Sequence, residues 1–518
     1  MSIKGSFTRR RALLLSASAA AGFALGGLPR FAHGAPSSAP ILPIPSLIDA
    51  RDGEAVTLAL RKTRHRFGSG SAVPSMGISS SYLGPVVRIR GGDTIPFRVE
   101  NHLDEETTLH WHGLLIPSEV DGGPHNTIAP GAVWTPEITV KQPAATTWFH
   151  PHPHGNTARQ VYGGLAGMMI VSDGGDRDRG LPETYGVDDL PVVLQDKRFG
   201  RDGALVYEPT MMDTMHGFRG DTLLVNGAIG PVANVPAGFV RLRLLNAANA
   251  RNFDLRFADR RPFFVIAGDA GLLPEPVEAS NLVIAPAERY EILVNFSDGR
   301  PGDLVTAPDA HHGAGAGMTM RTARPSEGFG AATELLMRFR PDPALPAAVT
   351  RLPRELIRLA SPDIASAVAW RTFELDPMLG MNMAGMRGMR VSQRTSALGG
   401  DHDHAGGPGQ MMGINGRPFA MHRIDVTTKL GTAEIWEIVS ARMAHPFHVH
   451  GASFRILSNN GRKPGAEQSG WKDVVLVEER AEILVRFDRP APPRMPFMYH
   501  CHILEHEDHG MMGQFAVV

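Results

Sequence analysis

Apolar and polar residues alternate in short runs along this chain, the spacing that puts every second side chain on one face of a strand. Val86-Val87-Arg88-Ile89-Arg90, the run from Thr94 to Val99 and the run from Trp134 to Val140 all read as strands. The pattern then recurs. AGFVRLRLLNAANARNFDLRF, from Ala237, parallels GGDTIPFRVENHLDEETTLHW, from Gly91, and LVIAPAERYEILVNF, from Leu282, parallels the runs around Trp134. LGTAEIWEIVSARMAHPFHVHGASFRIL, from Leu430, repeats the plan again. AEILVRF, from Ala481, and the closing GMMGQFAVV match the end of the first unit, GLAGMMIV. A self-similar unit at a spacing of about 150 residues indicates duplicated domains and not a short-repeat solenoid. The predicted fold is all-β: three β-sandwich domains with Greek-key connections in tandem, over residues 41–175, 176–345 and 346–518.

Composition fits that plan. The 57 glycines and 41 prolines suit many short strands joined by turns, and 518 residues leave room for three or four domains. A formal charge of −1 gives no reason to expect nucleic acid or a membrane surface as partner. The start of the chain reads as an export signal. Thr8-Arg9-Arg10-Arg11 precedes an apolar, small-residue run from Ala12 to Leu28, and Ala32-His33-Gly34 offers a cleavage site. Residues 1–34 are therefore expected to be a twin-arginine signal peptide, cut after Gly34 and sending the protein to a bacterial periplasm. The run is too short and too rich in Ala and Gly for a membrane anchor, and no later stretch approaches transmembrane length.

The candidate chemistry sits mostly at the C-terminus. FMYHCHILEHEDHGMM, from Phe497, holds the chain's one cysteine, Cys501, between His500 and His502, with His506 and Met511 following. Imidazole and thiolate with a weak axial thioether suit a blue-copper centre. In an extended segment Cys501 faces one side and both flanking histidines the other, so one strand could touch two metal sites. The plain alternative, a buried free cysteine among surface histidines, leaves the accompanying ligand set unexplained. Upstream lie two His-x-His pairs, His110-Trp111-His112 and His150-Pro151-His152, and the third unit adds His445, His448 and His450. His154 extends the second pair and reads as a supporting or surface residue. The second unit has no histidines at the matching places and reads as a spacer.

HWHG, WFHPH, HPFHVHG and YHCHILEHEDHGMM resemble, in order and separation, the four copper-binding motifs of the multicopper oxidases. The likeness is to the bacterial periplasmic branch, which includes copper-efflux oxidases and laccase-like enzymes. That resemblance implies three cupredoxin domains and four copper ions. His445, Cys501 and His506, with Met511 axial, would hold type 1 copper, and His110 and His448 type 2. His112, His150, His152, His450, His500 and His502 would hold the type 3 pair. Electrons would pass from a reductant through Cys501 to the cluster, and four of them would reduce dioxygen to water. Asp121 and Glu507 match the acids that supply protons in relatives. The plain alternatives are a turn residue before Gly122-Gly123 for Asp121 and an exposed charge for Glu507.

The reductant is suggested by a methionine-rich segment that includes Met378, Met381, Met383 and Met386. Thioethers favour Cu(I), and the resemblance to efflux oxidases then implies a cuprous oxidase in copper tolerance. Met443, two residues before His445, would complete a substrate copper site. Ala441, Gly380 and Leu375 depart from the efflux pattern, which keeps phenols and aromatic amines, the laccase substrates, as alternatives. Two non-enzymatic alternatives fit the sequence less well. Copper-free relatives that act as structural or division factors lack the cysteine and most of the histidines, which this chain keeps. A copper-storage protein would have no use for a thiolate between two cluster ligands. A monomer is expected.

Overall fold

Each apolar row of the alternating pattern finds a facing row, and that pairing builds the molecule. The computed structural model describes residues 39–68, 70–310, 332–376, 379, 411–440 and 443–518. The expected signal peptide and Met378, Met381, Met383 and Met386 lie outside them. Strand Thr94–His102 shows the principle: Ile95, Phe97, Val99 and Asn101 are buried, while Thr94, Pro96, Arg98 and His102 face solvent. Its sheet runs Val73–Ile78, Val56–His65, Thr94–His102, Val133–Trp134. A second sheet, Leu47–Asp49, Val86–Arg90, Gly167–Ser172, Ala145–Phe149, belongs to the same unit. Leu58, Val87, Phe97, Trp111 and Phe149 share the apolar core of that unit. One detail differs from the sequence pattern. Trp134 to Val140 is not a single strand but two, Val133–Trp134 and Glu137–Thr139. Pro136 stands at the break; it has no N–H to give a ladder, and its carbonyl accepts from Phe97 N at 2.9 Å.

The plan then repeats twice. A six-stranded sheet centred on Phe239–Asn246 and Arg289–Asn295 and a five-stranded sheet from Val232–Val235 to Leu282–Ile284 share a second core. Two five-stranded sheets, one around Ala433–Ser440 and one around Phe497–Cys501, share a third. The fold is all-β with cupredoxin-like units, as expected. Its described helices are short, and none is long and apolar enough to cross a membrane.

The second unit presses a polar face against the first. Strand Phe239–Asn246 is buried along its whole length, Arg241 and Arg243 included. Arg241 donates to Glu291 and Arg243 to Asp189, both at 2.7 Å, and Thr146 of the first unit donates to Glu291 at 2.6 Å. Buried charges of this kind must be fully paired, because stripping one partner costs about 3–5 kcal/mol.

Candidate metal centre

Backbone pairing brings the histidine segments together. His110 and His150 exchange backbone hydrogen bonds of 2.8 and 3.1 Å, so the two His-x-His pairs lie side by side. In the third unit His448 stands opposite His500, and Phe447 opposite Cys501, in antiparallel register. Alternation along Phe497–Cys501 then sends neighbouring side chains to different places. His500 meets His152 and His450, while Cys501 meets His506.

His110, His112, His150, His152, His448, His450, His500 and His502 form one cluster, none more than 1% exposed. Burial pushes His500 down to about 3. Burial and neighbouring imidazoles hold His112, His150, His152, His448, His450 and His502 well below the usual histidine range. These seven rings are neutral at pH 7, each with one N–H and one lone pair.

The acceptors around the rings then place the protons. His450 Nδ1 faces Asp121 Oδ2 at 2.8 Å, and His500 Nδ1 faces the Cys501 carbonyl at 3.0 Å, so both must donate there. Their Nε2 atoms carry lone pairs, yet lie 3.1 Å apart, and His152 Nε2 is 3.2 Å from His500 Nε2. Lone pairs that close repel unless a cation lies between them. The donor set therefore fits a metal ion. His110, His150 and His448 likewise spend Nδ1 on the carbonyls of Asp121, Pro151 and Asp473. Their Nε2 atoms have no hydrogen-bond partner among the described residues.

Across the strand, His445, Cys501 and His506 bring one donor atom each within 4.8 Å of one another. Cys501 Sγ is 3.6 Å from His506 Nδ1. Met511 is wholly buried beside them; it accepts from Cys501 N and donates to the His506 carbonyl. Burial pushes the Cys501 thiol up, so a neighbouring cation is needed to ionise it. Burial also pushes His445 down to about 4.

Asp121 proves to be both a turn residue and a buried carboxylate. Its N–H closes a turn onto Ser118, and its Oδ2 reaches His450 at 2.8 Å and His110 at 3.2 Å. Glu507 is not an exposed charge. It is 2% exposed, with Oε1 3.3 Å from His152 and Oε2 3.2 Å from His500, and burial raises its carboxyl well above the usual range. Met443 packs in the third apolar core at 6% exposure, and its carbonyl accepts from Ser440 Oγ, which lies 2.8 Å from His445 Nδ1. His154 is exposed and packs edge-to-face with Phe419.

Three contributors escaped the sequence reading. Trp148 stacks on His150 with ring centroids 4.1 Å apart. Asp473 sets Oδ1 3.1 Å from His112 Nε2, and Arg289 of the second unit grips that carboxylate. The only signal in the sequence was an acid at the lip of an apolar run, Lys472-Asp473-Val474-Val475, which is common elsewhere.

Three multicopper oxidase family models match residues 59–176, 203–317 and 389–518. A solved bacterial laccase-like multicopper oxidase, CueO from Ochrobactrum sp., described as having oxidase activity towards lignin model compounds and lignosulfonate, is 48% identical. It covers 92% of this chain and 100% of its own, with a TM-score of 0.81. The McoA multicopper oxidase of Aquifex aeolicus is 30% identical, with a TM-score of 0.75 and coverage of 93% and 99%. Among curated relatives, cell division protein FtsP of Xenorhabdus nematophila is 38% identical over 95% of both chains. FtsP of Salmonella typhimurium is 37% identical over 99% of both.

These curated relatives correct the functional expectation. The sequence motifs predict a four-electron oxidase, cuprous in copper tolerance or else laccase-like, with a non-enzymatic copper-binding protein as the distant alternative. Relatives matched along 95–99% of the chain carry instead the name of a cell division protein, a class that the kept ligands argue against. Donor residues record what a fold can hold, not the process a cell uses it for. Family and fold support an oxidase and imply copper binding and dioxygen use. The chain belongs to the multicopper oxidase family.

Proposed function

We propose that this chain is an exported copper protein of the multicopper oxidase family that works in cell division. The observation carrying this reading is its similarity, along 95–99% of the chain, to relatives named cell division protein FtsP. The arginine-led apolar run from Thr8 to Leu28 supports export to the periplasm. The copper half of the proposal is supported by the opposed lone pairs of His450 and His500. His445, Cys501, His506 and Met511 would hold one ion and His110 and His448 a second. His112, His150, His152, His450, His500 and His502 would hold two more.

Copper at these positions would supply one-electron redox chemistry. The chain's own residues set the stage for it. Asp121 fixes the tautomer of His450 by accepting from its Nδ1. Glu507, whose carboxyl burial raises well above the usual range, stands beside His152 Nδ1 and His500 Nδ1. Cys501 and His500, neighbours on one strand, tie the thiolate site covalently to the cluster.

Gene replacement in the host tests both halves. Cells lacking the chain are expected to divide poorly and form filaments, and the wild-type gene to restore normal length. Normal division in its absence would overturn the proposal. Full restoration by a Cys501→Ser, His448→Ala double variant would remove copper from the role and leave division standing.

A further inference from the structure

We propose that Arg289, in the unit that lacks the histidine pairs, is a positioning residue for the histidine cluster: through Asp473 it fixes His112 with Nδ1 turned inward. The proposal rests on the copper reading above.

His112 differs from the rings around it. His110, His150, His448 and His500 spend Nδ1 on backbone carbonyls, but His112 presents Nε2 to Asp473 Oδ1 at 3.1 Å. A neutral imidazole has one proton, and the carboxylate draws it to Nε2. The lone pair is then on Nδ1, which is buried without a hydrogen-bond partner among the described residues. His112 Nδ1 and His150 Nε2 both lack partners, and His112, His150 and His110 bring one donor atom each within 4.8 Å of one another.

Asp473 can hold that tautomer only if its carboxylate does not turn. Arg289 supplies the restraint with a two-pronged grip, Nη1 to Oδ1 at 2.7 Å and Nη2 to Oδ2 at 2.5 Å. The guanidinium is itself locked. Nε donates to Thr146 O, the second Nη1 hydrogen to Ala287 O and the second Nη2 hydrogen to Asp269 O. All five N–H donors of the fork are therefore used. Asp269 Oδ2 also accepts from Lys472 Nζ and from the backbone of Asp473 and Val474, which anchors the strand carrying the acid.

The same contact explains the glycine that closes HWHG. Gly113 has φ +87°, and a Cβ there would lie 2.6 Å from Arg289 Nη2 and 2.8 Å from Asp473 Oδ2. With both oxygens engaged by Arg289, Asp473 is placed to orient a ligand and not to act as one. Carboxylates that orient a ligating histidine typically contribute about 10- to 100-fold in metal affinity.

Asp473→Asn, Arg289→Met and Arg289→Lys test this in the full chain. Copper affinity is measured by competition with a chelator of known strength. The thiolate site is read by visible absorption, and the histidine cluster by bound copper per chain and its electron paramagnetic resonance signal. Asp473→Asn and Arg289→Met are expected to weaken cluster copper about 10- to 100-fold and to leave the thiolate site unchanged. Arg289→Lys keeps the charge without the fork and should fall between. Unchanged cluster affinity in Asp473→Asn, or equal losses at both sites, would overturn the proposal. A wild-type chain that takes no copper into the cluster would overturn the copper reading along with it.

Discussion

His450 and His500 point ring nitrogens at each other across 3.1 Å, and each has already committed its proton elsewhere. Without a cation this contact is repulsive, so the metal-free fold carries a penalty that copper relieves. Ligands that bind only the folded state stabilise it by mass action, about 2.7 kcal/mol for one site at a hundredfold excess over Kd. Copper should therefore raise the thermal midpoint, and a chelator should lower it again. His500→Ala removes the opposed pair, so its metal-free form should melt no lower than metal-free wild type after allowance for the lost packing. An unfolding midpoint indifferent to copper in the wild type would mean that the cluster does not bind it.

Cys501→Ser separates the two sites. The substituted hydroxyl does not ionise, so the intense visible absorption of a thiolate–copper pair should vanish. His500 and His502 keep their backbone positions, and copper in the histidine cluster should stay. The buried hydroxyl costs about 1–3 kcal/mol where no acceptor meets it. Absorption spectra and copper analysis of one preparation decide the matter: visible colour surviving in the variant would show that Cys501 is not the thiolate ligand.

What could be read in advance, and what could not, follows from distance along the chain. The division of labour between His500 and Cys501 was legible because strand alternation is a local property of two adjacent residues. The buried face of Thr94–His102 was legible for the same reason. The break at Pro136 is also local, since the missing N–H is a property of that one residue. Arg289 and Asp473, by contrast, are 184 positions apart and in different units, so nothing near either one announces the pair. The burial of Glu507 was legible only through the family motif, because the polar run that forms the helix Leu504–Asp508 reads locally like a solvent-facing segment. The cellular role was the least legible, since the same donors serve whatever process holds the protein.

Gly122 is where the fold around the cluster is least forgiving. Its φ is +82°, and a Cβ would lie 1.8 Å from the Leu109 carbonyl and 2.8 Å from His110 Cα. Backbone, not a flexible side chain, stands in the way. Gly122→Ala should cost more than about 4 kcal/mol, the range reserved for core disruption, and yield little soluble protein. Gly155→Ala is the control. It has a similar φ of +75° but open space around it, so it should cost only about 1–2 kcal/mol. Equal expression and melting of the two variants would show that the loop at Gly122 can move, and with it Asp121.

Lys197 gives the stability a pH signature of its own. Its side chain is fully buried, its Nζ has no hydrogen-bond partner among the described residues, and it lies 4.0 Å from the centre of the Tyr162 ring. Asp196 and Glu505 favour the charge, but Asp196 is engaged by Arg251 and Gly220 N. Burial pushes the Lys197 ammonium down to about 7. The unfolded chain titrates near the ordinary lysine value of about 10.4, so between these values it binds one proton more than the native state. Stability therefore rises with pH from about 7 towards about 10, and below pH 7 the cost of burying the charge is fully present. Lys197→Met removes the charge and can still pack on Tyr162. It should stabilise the protein by about 1–4 kcal/mol at pH 6, with the gain fading as pH approaches 10. Denaturant midpoints at the two pH values test this, and a gain of the same size at both, or a loss at pH 6, would show that the buried amine is not the source of the slope.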